Sequence, residues 1–220
     1  MSNKKVLLVV TNHDRIDDQH VSGLWLEEFL EPYRELRRAG YEVTVASPKG
    51  GKAPLDARSI EGGTDGIAEV ALLENTLSLQ QVDPLDFDGI FLAGGHGTMF
   101  DFPASADLKI AIRKLNKAGR GIASVCHGVA GLVGVLNEQG RPIVEGRNIT
   151  SFTNSEEVAV GLDHVVPFML ETRLREQGGI FSLKENFASY VVADGNLITG
   201  QNPPSSKATV AALIEFIESK

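Results

Sequence analysis

Gly121-Ile-Ala-Ser-Val-Cys126-His127-Gly128-Val-Ala-Gly131 decides how the rest of the chain is read. The first five residues are mostly apolar, as in a strand covered on both faces, and the residues from Gly128 on are small enough to start a helix packed on the sheet edge. Cys126 falls at the turn between them. A strand-to-helix turn of this kind aims its side chain over the carboxyl edge of a parallel sheet, in the manner of the nucleophile elbows of α/β hydrolases. The free N–H groups and positive dipole end of the following helix favour a thiolate there. The turn and the adjacent His127 therefore point to a reactive Cys126 rather than an inert core thiol.

Outward from this turn, short aliphatic runs alternate with amphipathic stretches, the pattern of a parallel sheet with crossover helices. Residues 6–10, 42–46, 89–92 and 122–125 read as buried strands, and 24–39, 72–80 and 106–118 as helices. Ser22 and Ser105 are expected N-caps, and Gly40 and Gly119 expected helix stops. Residues 155–160, 165–177 and 206–219 look helical, and 189–193 with 196–199 form a strand pair around Asp194-Gly195. The Gly- and Pro-rich residues 48–66 read as a surface loop or short hairpin, with no composition shift between two cores. One α/β domain over residues 1–220 is expected.

Composition narrows the function. The 220 residues are 42% hydrophobic and 23% charged, an ordinary globular balance, with no run long enough for a membrane span. Twenty-one Lys and Arg against 29 Asp and Glu give a net charge of −8, which repels polyanions, so no nucleic-acid partner is expected. The apolar run after Lys4 and Lys5 is too short for a signal sequence. A single cysteine forbids an internal disulfide and a Cys-rich zinc site. A cytoplasmic location is expected, with no membrane association.

Three further groups could carry chemistry. Gly94-Gly95-His96-Gly97 follows the strand 89–92, and its glycines would let backbone N–H groups approach a developing oxyanion. It lacks the Gly-Lys-Ser/Thr ending of a phosphate loop, and Phe100 stands where a dinucleotide fingerprint needs its last Gly or Ala. An ordinary tight turn remains the alternative. In the first helix, Glu27, Glu31, Arg34 and Arg38 share a polar stripe, whereas Glu28 lies among Leu24, Trp25 and Pro32. A carboxyl in apolar surroundings keeps its proton near neutrality and would donate a hydrogen bond to a thiolate; the alternative is a surface acid beside Glu35. His13, Asp14, Asp17, Asp18 and His20 cluster after the first strand without ligand spacing, so they read as a solvated acidic loop and not a metal site.

Together these residues resemble the ThiJ/PfpI superfamily, specifically its single-domain heat-shock chaperone and glyoxalase III-like branch. The matching pieces are Gly23 with Glu28 and Pro32, Ala93 to Phe102, Ser124-Val-Cys-His-Gly128, Phe152-Thr-Asn-Ser-Glu-Glu157, Val166 to Glu171 and Leu197 to Pro203. The resemblance implies a flavodoxin-like three-layer sandwich with a mainly parallel central sheet and a nucleophile elbow. It implies a catalytic set of Cys126, His127 and Glu28, with Gly94, Gly95 and His96 at the oxyanion and substrate position. It further implies conversion of a small 2-oxoaldehyde such as methylglyoxal to D-lactate or the matching 2-hydroxy acid without glutathione, metal or cofactor, and a homodimer. Deglycase or holding-chaperone activity would fit the same branch. The other readings are a PfpI-like cysteine peptidase and a non-enzymatic stress chaperone and peroxide sensor. The related amidotransferases take an acid from a His-x-Glu pair, but His164 is followed here by Val165 and Val166.

Overall fold

A computed structural model describes residues 4–220. Its frame is a seven-stranded sheet whose strands lie in the order 77–78, 42–47, 5–9, 89–92, 121–125, 197–200 and 191–194. In chain order, β1 (Lys5–Val9) leads through α1 (Leu26–Arg38) to β2 (Glu42–Ser47) and the short edge strand β3 (Leu77–Ser78). Next come β4 (Gly89–Leu92), the single turn α2 (Thr98–Asp101), α3 (Ala106–Lys117) and β5 (Gly121–Val125). A two-stranded parallel pair, β6 (Asn148–Ile149) and β7 (Ile180–Phe181), flanks α4 (Asn154–Ala159) and α5 (Leu170–Glu176). The chain ends with β8 (Val191–Asp194), β9 (Leu197–Gly200) and α6 (Ser206–Glu218). Every pairing in the large sheet is parallel except β8 with β9, which turn back on each other around Asp194-Gly195.

Strand alternation explains the layers. In β1 and its extension, Val6, Leu8 and Val10 face the side covered by α1 and α6, while Leu7 and Val9 face the side covered by α3. All five are fully buried, so the run is apolar throughout because both faces are covered. The expected caps divide. Ser105 Oγ accepts the Leu108 N–H at 3.1 Å and starts α3. Ser22 caps nothing: its hydroxyl donates to Asp56 at 3.0 Å, and α1 begins four residues later, where the Leu26 N–H donates to Ser59 Oγ.

The helix expected over 72–80 is absent. Residues Ala68–Leu73 form a 3₁₀ turn, and the following segment is drawn out into β3. Thr76 explains the difference, because its backbone exchanges hydrogen bonds with Gly51 and its hydroxyl bonds Ser47. These long-range partners outweigh the local helical pattern. The helix expected over 165–177 is confined to α5, after Pro167, which disfavours helical geometry at the residue before it. The helix expected near Gly128 begins at Cys126 itself, as a 3₁₀ segment Cys126–Leu132.

Candidate active site

Cys126 closes β5 with φ 57°, a left-handed conformation that is rare and strained for a residue with a side chain. The strain turns the chain from strand to 3₁₀ helix in one residue and leaves the sulfur at the carboxyl end of the sheet's central strands. Cys126 is 3% exposed and lies in a cavity of about 410 Å³ with Glu28, His96 and His127 on its walls.

On one side of the sulfur, the first turn of α1 brings in Glu28, which is fully buried. Its Oε2 accepts the Gly94 N–H at 2.8 Å, and its Oε1 has no hydrogen-bond partner. Only glycine fits at 94, since a Cβ there would collide with Glu28 Oε2 and the backbone of Val125 and Gly128. Burial pushes the Glu28 carboxyl up to about 8. Burial, and then the Glu28 carboxylate, push the Cys126 thiol well above its ordinary value. Cys126 and Glu28 therefore form a pair of acids that both hold their protons near neutrality. The helix-end argument for a resting thiolate is overridden, because desolvation of the sulfur outweighs the single donor supplied by the His127 N–H.

On the other side stands Glu157, from the first turn of α4, to which the sequence pattern assigns no role. Its Oε2 bonds His127 Nε2 at 2.8 Å and its Oε1 bonds His96 Nε2 at 2.7 Å. His127 Nδ1 lies 3.3 Å from Cys126 Sγ, completing a line from sulfur through imidazole to carboxylate. Against the upward push of burial, the two histidines hold Glu157 well below the usual carboxylate range. Arg58 fixes the tautomer of His96: the guanidinium reaches His96 Nδ1 at 3.2 Å, so that nitrogen accepts and Nε2 carries the proton given to Glu157. Burial and neighbouring His127 lower His96 to about 4, leaving it neutral. Arg58 comes from the 48–66 loop and is itself held by buried Asp56.

The expected oxyanion residues separate in the same way. The Gly94 N–H is committed to Glu28. The N–H groups of Gly95 and His96 donate to no group among the described residues, and both residues line the cavity. Gly95 has φ 103° and packs on the backbone of Gly23 and Trp25, which again excludes a side chain. His96, Glu157 and His127 bring one ligand atom each within 4.8 Å of the others, the one group among the described residues able to hold a metal ion. The His13 to His20 loop makes no such group: His20 bonds Asp17 and His13 stacks on Phe100. His164, with a side chain 90% exposed, pairs with the adjacent Asp163 and lies outside the site.

Over residues 21–216 the sequence matches the DJ-1/PfpI family. The chain belongs to that family. It is 30% identical to the glutathione-independent glyoxalase HSP31 of Saccharomyces cerevisiae, covering 99% of this chain and 100% of the relative. It is 30% identical to glyoxalase 3 of Candida albicans, covering 97% and 98%. The crystal structure of the Candida albicans glyoxalase III superposes with a TM-score of 0.90 at 26% identity over 99% and 98% of the two chains. The Rapid Encystment Protein of Francisella tularensis superposes with a TM-score of 0.92 at 34% identity over 97% and 99%. In this DJ-1/PfpI chain no helix is long and apolar enough to cross a membrane, among the described residues.

Glu157 is the residue that sequence reasoning missed. Thr153 to Glu156 carries a capping-box pattern, and the structure forms it. That pattern marks a helix start, and it contains no signal that the next glutamate turns inward to two histidines.

Proposed function

We propose that the protein is a glutathione-independent glyoxalase that converts 2-oxoaldehydes to 2-hydroxy acids at Cys126, methylglyoxal giving D-lactate. The observation that carries this reading is the line Cys126–His127–Glu157, with the buried Glu28 carboxyl on the other flank of the sulfur. Full-length relatives bearing glyoxalase names support the reaction class.

In the proposed cycle His127 Nδ1 takes the thiol proton as sulfur attacks the aldehyde carbon, and Glu157 stabilises the imidazolium that forms. The aldehyde oxygen, with the Gly95 and His96 N–H groups as donors while its charge develops, takes that proton back from His127 to become the hydroxyl of a hemithioacetal. His127 then removes the proton from the former aldehyde carbon. The resulting enediol is reprotonated at the neighbouring carbon, leaving a 2-hydroxy thioester. Water releases the acid and restores the thiol. The cycle is redox-neutral overall and consumes one water, so it balances without an oxidant or a reductant. Glu28, holding its proton, acts as a positioning residue that keeps a negative charge away from the sulfur. The test is to incubate metal-stripped protein with methylglyoxal in the absence of glutathione and measure D-lactate by a chiral assay, beside Cys126→Ala. Cys126-dependent D-lactate is expected; its absence, with peptide cleavage or aggregation suppression in its place, would overturn the reading.

A further inference from the structure

The cavity over Cys126 is larger than a three-carbon aldehyde needs. Its volume of about 410 Å³ falls in the range that holds a drug-sized ligand. Away from the sulfur its wall is mostly apolar, built by Trp25, Phe152, Val160, Phe187, Pro203 and Pro204, with Glu27 and Arg58 as its charged members. Phe152 connects this wall to the reacting end: its ring centroid is 4.3 Å from that of His127 and 6.3 Å from that of Phe187.

Phe187 is the unusual member. It is 45% exposed, and its φ of 62° is one of only two positive values at non-glycine residues among those described, the other being Cys126. A bulky residue persists in that conformation only where its surroundings impose it. Here they do. The Phe187 N–H donates to Glu156 Oε1 at 2.8 Å, and the same oxygen accepts Asn202 Nδ2 at 2.8 Å and Gln201 Nε2 at 3.0 Å. The preceding Asn186 bonds Ser155 through both ends of its amide. A fully buried carboxylate is thus used to hold a strained loop that presents an aromatic ring to the cavity rather than to the core. A preorganised, half-exposed ring of this kind offers stacking area without the entropic cost of ordering the loop.

We propose that Phe187 is a specificity-determining residue and that the preferred substrates are 2-oxoaldehydes bearing an aryl group, which packs against Phe187 and the apolar wall beside it while the dicarbonyl end reaches Cys126. The proposal rests on the glyoxalase reading for its chemistry and on the apolar wall for its selectivity, so the experiment has one arm for each. In the first arm, kcat/KM is measured for phenylglyoxal and methylglyoxal. The wild-type protein is expected to favour phenylglyoxal. The ratio should fall at least tenfold in Phe187→Ala and less in Phe187→Leu, since one hydrophobic contact in a pocket discriminates roughly 10- to 200-fold. An unchanged ratio in Phe187→Ala overturns the proposal. In the second arm, D-mandelate and D-lactate are titrated against the fluorescence of Trp25, the single tryptophan of the chain. Mandelate is expected to bind at least tenfold tighter, with the advantage reduced in Phe187→Ala. If neither aldehyde is turned over, the glyoxalase reading fails. The binding arm then decides the aryl site by itself, and mandelate binding no tighter than lactate overturns it.

Discussion

Glu28 and Glu157 are both buried beside the same Cys-His pair, yet the regions that hold them drive their protons in opposite directions. The α1 side offers Glu28 only the neighbouring Cys126 sulfur and one backbone N–H, too little to offset desolvation, so burial dominates and the carboxyl rises to about 8. The α4 side offers Glu157 two imidazole N–H donors, so hydrogen bonding and charge outweigh burial and the carboxylate stays ionised. Environment alone thus assigns one glutamate as an acid and the other as a fixed anion. The difference teaches that proximity of a carboxylate to a cysteine does not by itself activate the sulfur. Glu28 opposes ionisation of Cys126, whereas Glu157 acts through His127, which is placed to accept the proton.

Four measurements sharpen or break this comparison. Cys126→Ser removes the atom both regions serve, and kcat/KM for methylglyoxal should fall about a thousandfold or more. Residual turnover within tenfold of wild type would remove the sulfur from the chemistry. Glu157→Gln leaves one imidazole N–H facing an amide NH₂. It should lower kcat about a hundredfold or more and cost about 1–3 kcal/mol in urea unfolding.

Glu28→Gln should behave in the opposite sense on stability. Between the ordinary value of 4.5 and about 8, the folded protein holds a proton that the unfolded chain has released. Wild-type stability therefore declines as pH rises across that window, and the loss is complete above it. Glutamine never ionises, so the variant should be the more stable protein at pH 9, by on the order of a few kcal/mol, and level with wild type at about pH 4. The same substitution removes the carboxylate that raises the Cys126 thiol, so iodoacetamide labelling of the variant should begin at lower pH than in wild type. Labelling that shifts to higher pH would mean that Glu28 supports the thiolate instead. The smallest effect belongs outside both regions. Ser105→Ala loses the N-cap of α3 and should cost about 1 kcal/mol, lowering Tm by about 2–4 °C with the rate on methylglyoxal unchanged.

Much of the molecule was legible along the chain. The aliphatic runs of β1, β4 and β5 predict buried strands because covering both faces of a sheet removes polar alternation. Cys126 at a strand end and Glu28 off the polar stripe of α1 could be placed from local pattern alone, since helical and strand periods dictate which side chains turn inward. The misreadings share a cause. Residues 72–80 carry a helical pattern, but Gly51 and Ser47 hold Thr76 and the chain passes into the two-residue edge strand Leu77–Ser78 between 3₁₀ turns, and Ser22, a good local cap, is used by Asp56.

An α/β sheet, the turn at Cys126 and the glycines around it can be read along the chain, because they follow from burial and backbone freedom over a few neighbouring residues. Only the tertiary structure decided where the protons reside. His96 and Glu157 are 61 residues apart, His127 and Glu157 are 30 apart, and Gly94 and Glu28 are 66 apart. Whether each ends up charged depends on desolvation and on donors within about 3 Å. No local spacing encodes those distances, so the state of Cys126, the part played by Glu157 and the reach of Arg58 into the site appear only once the chain has folded.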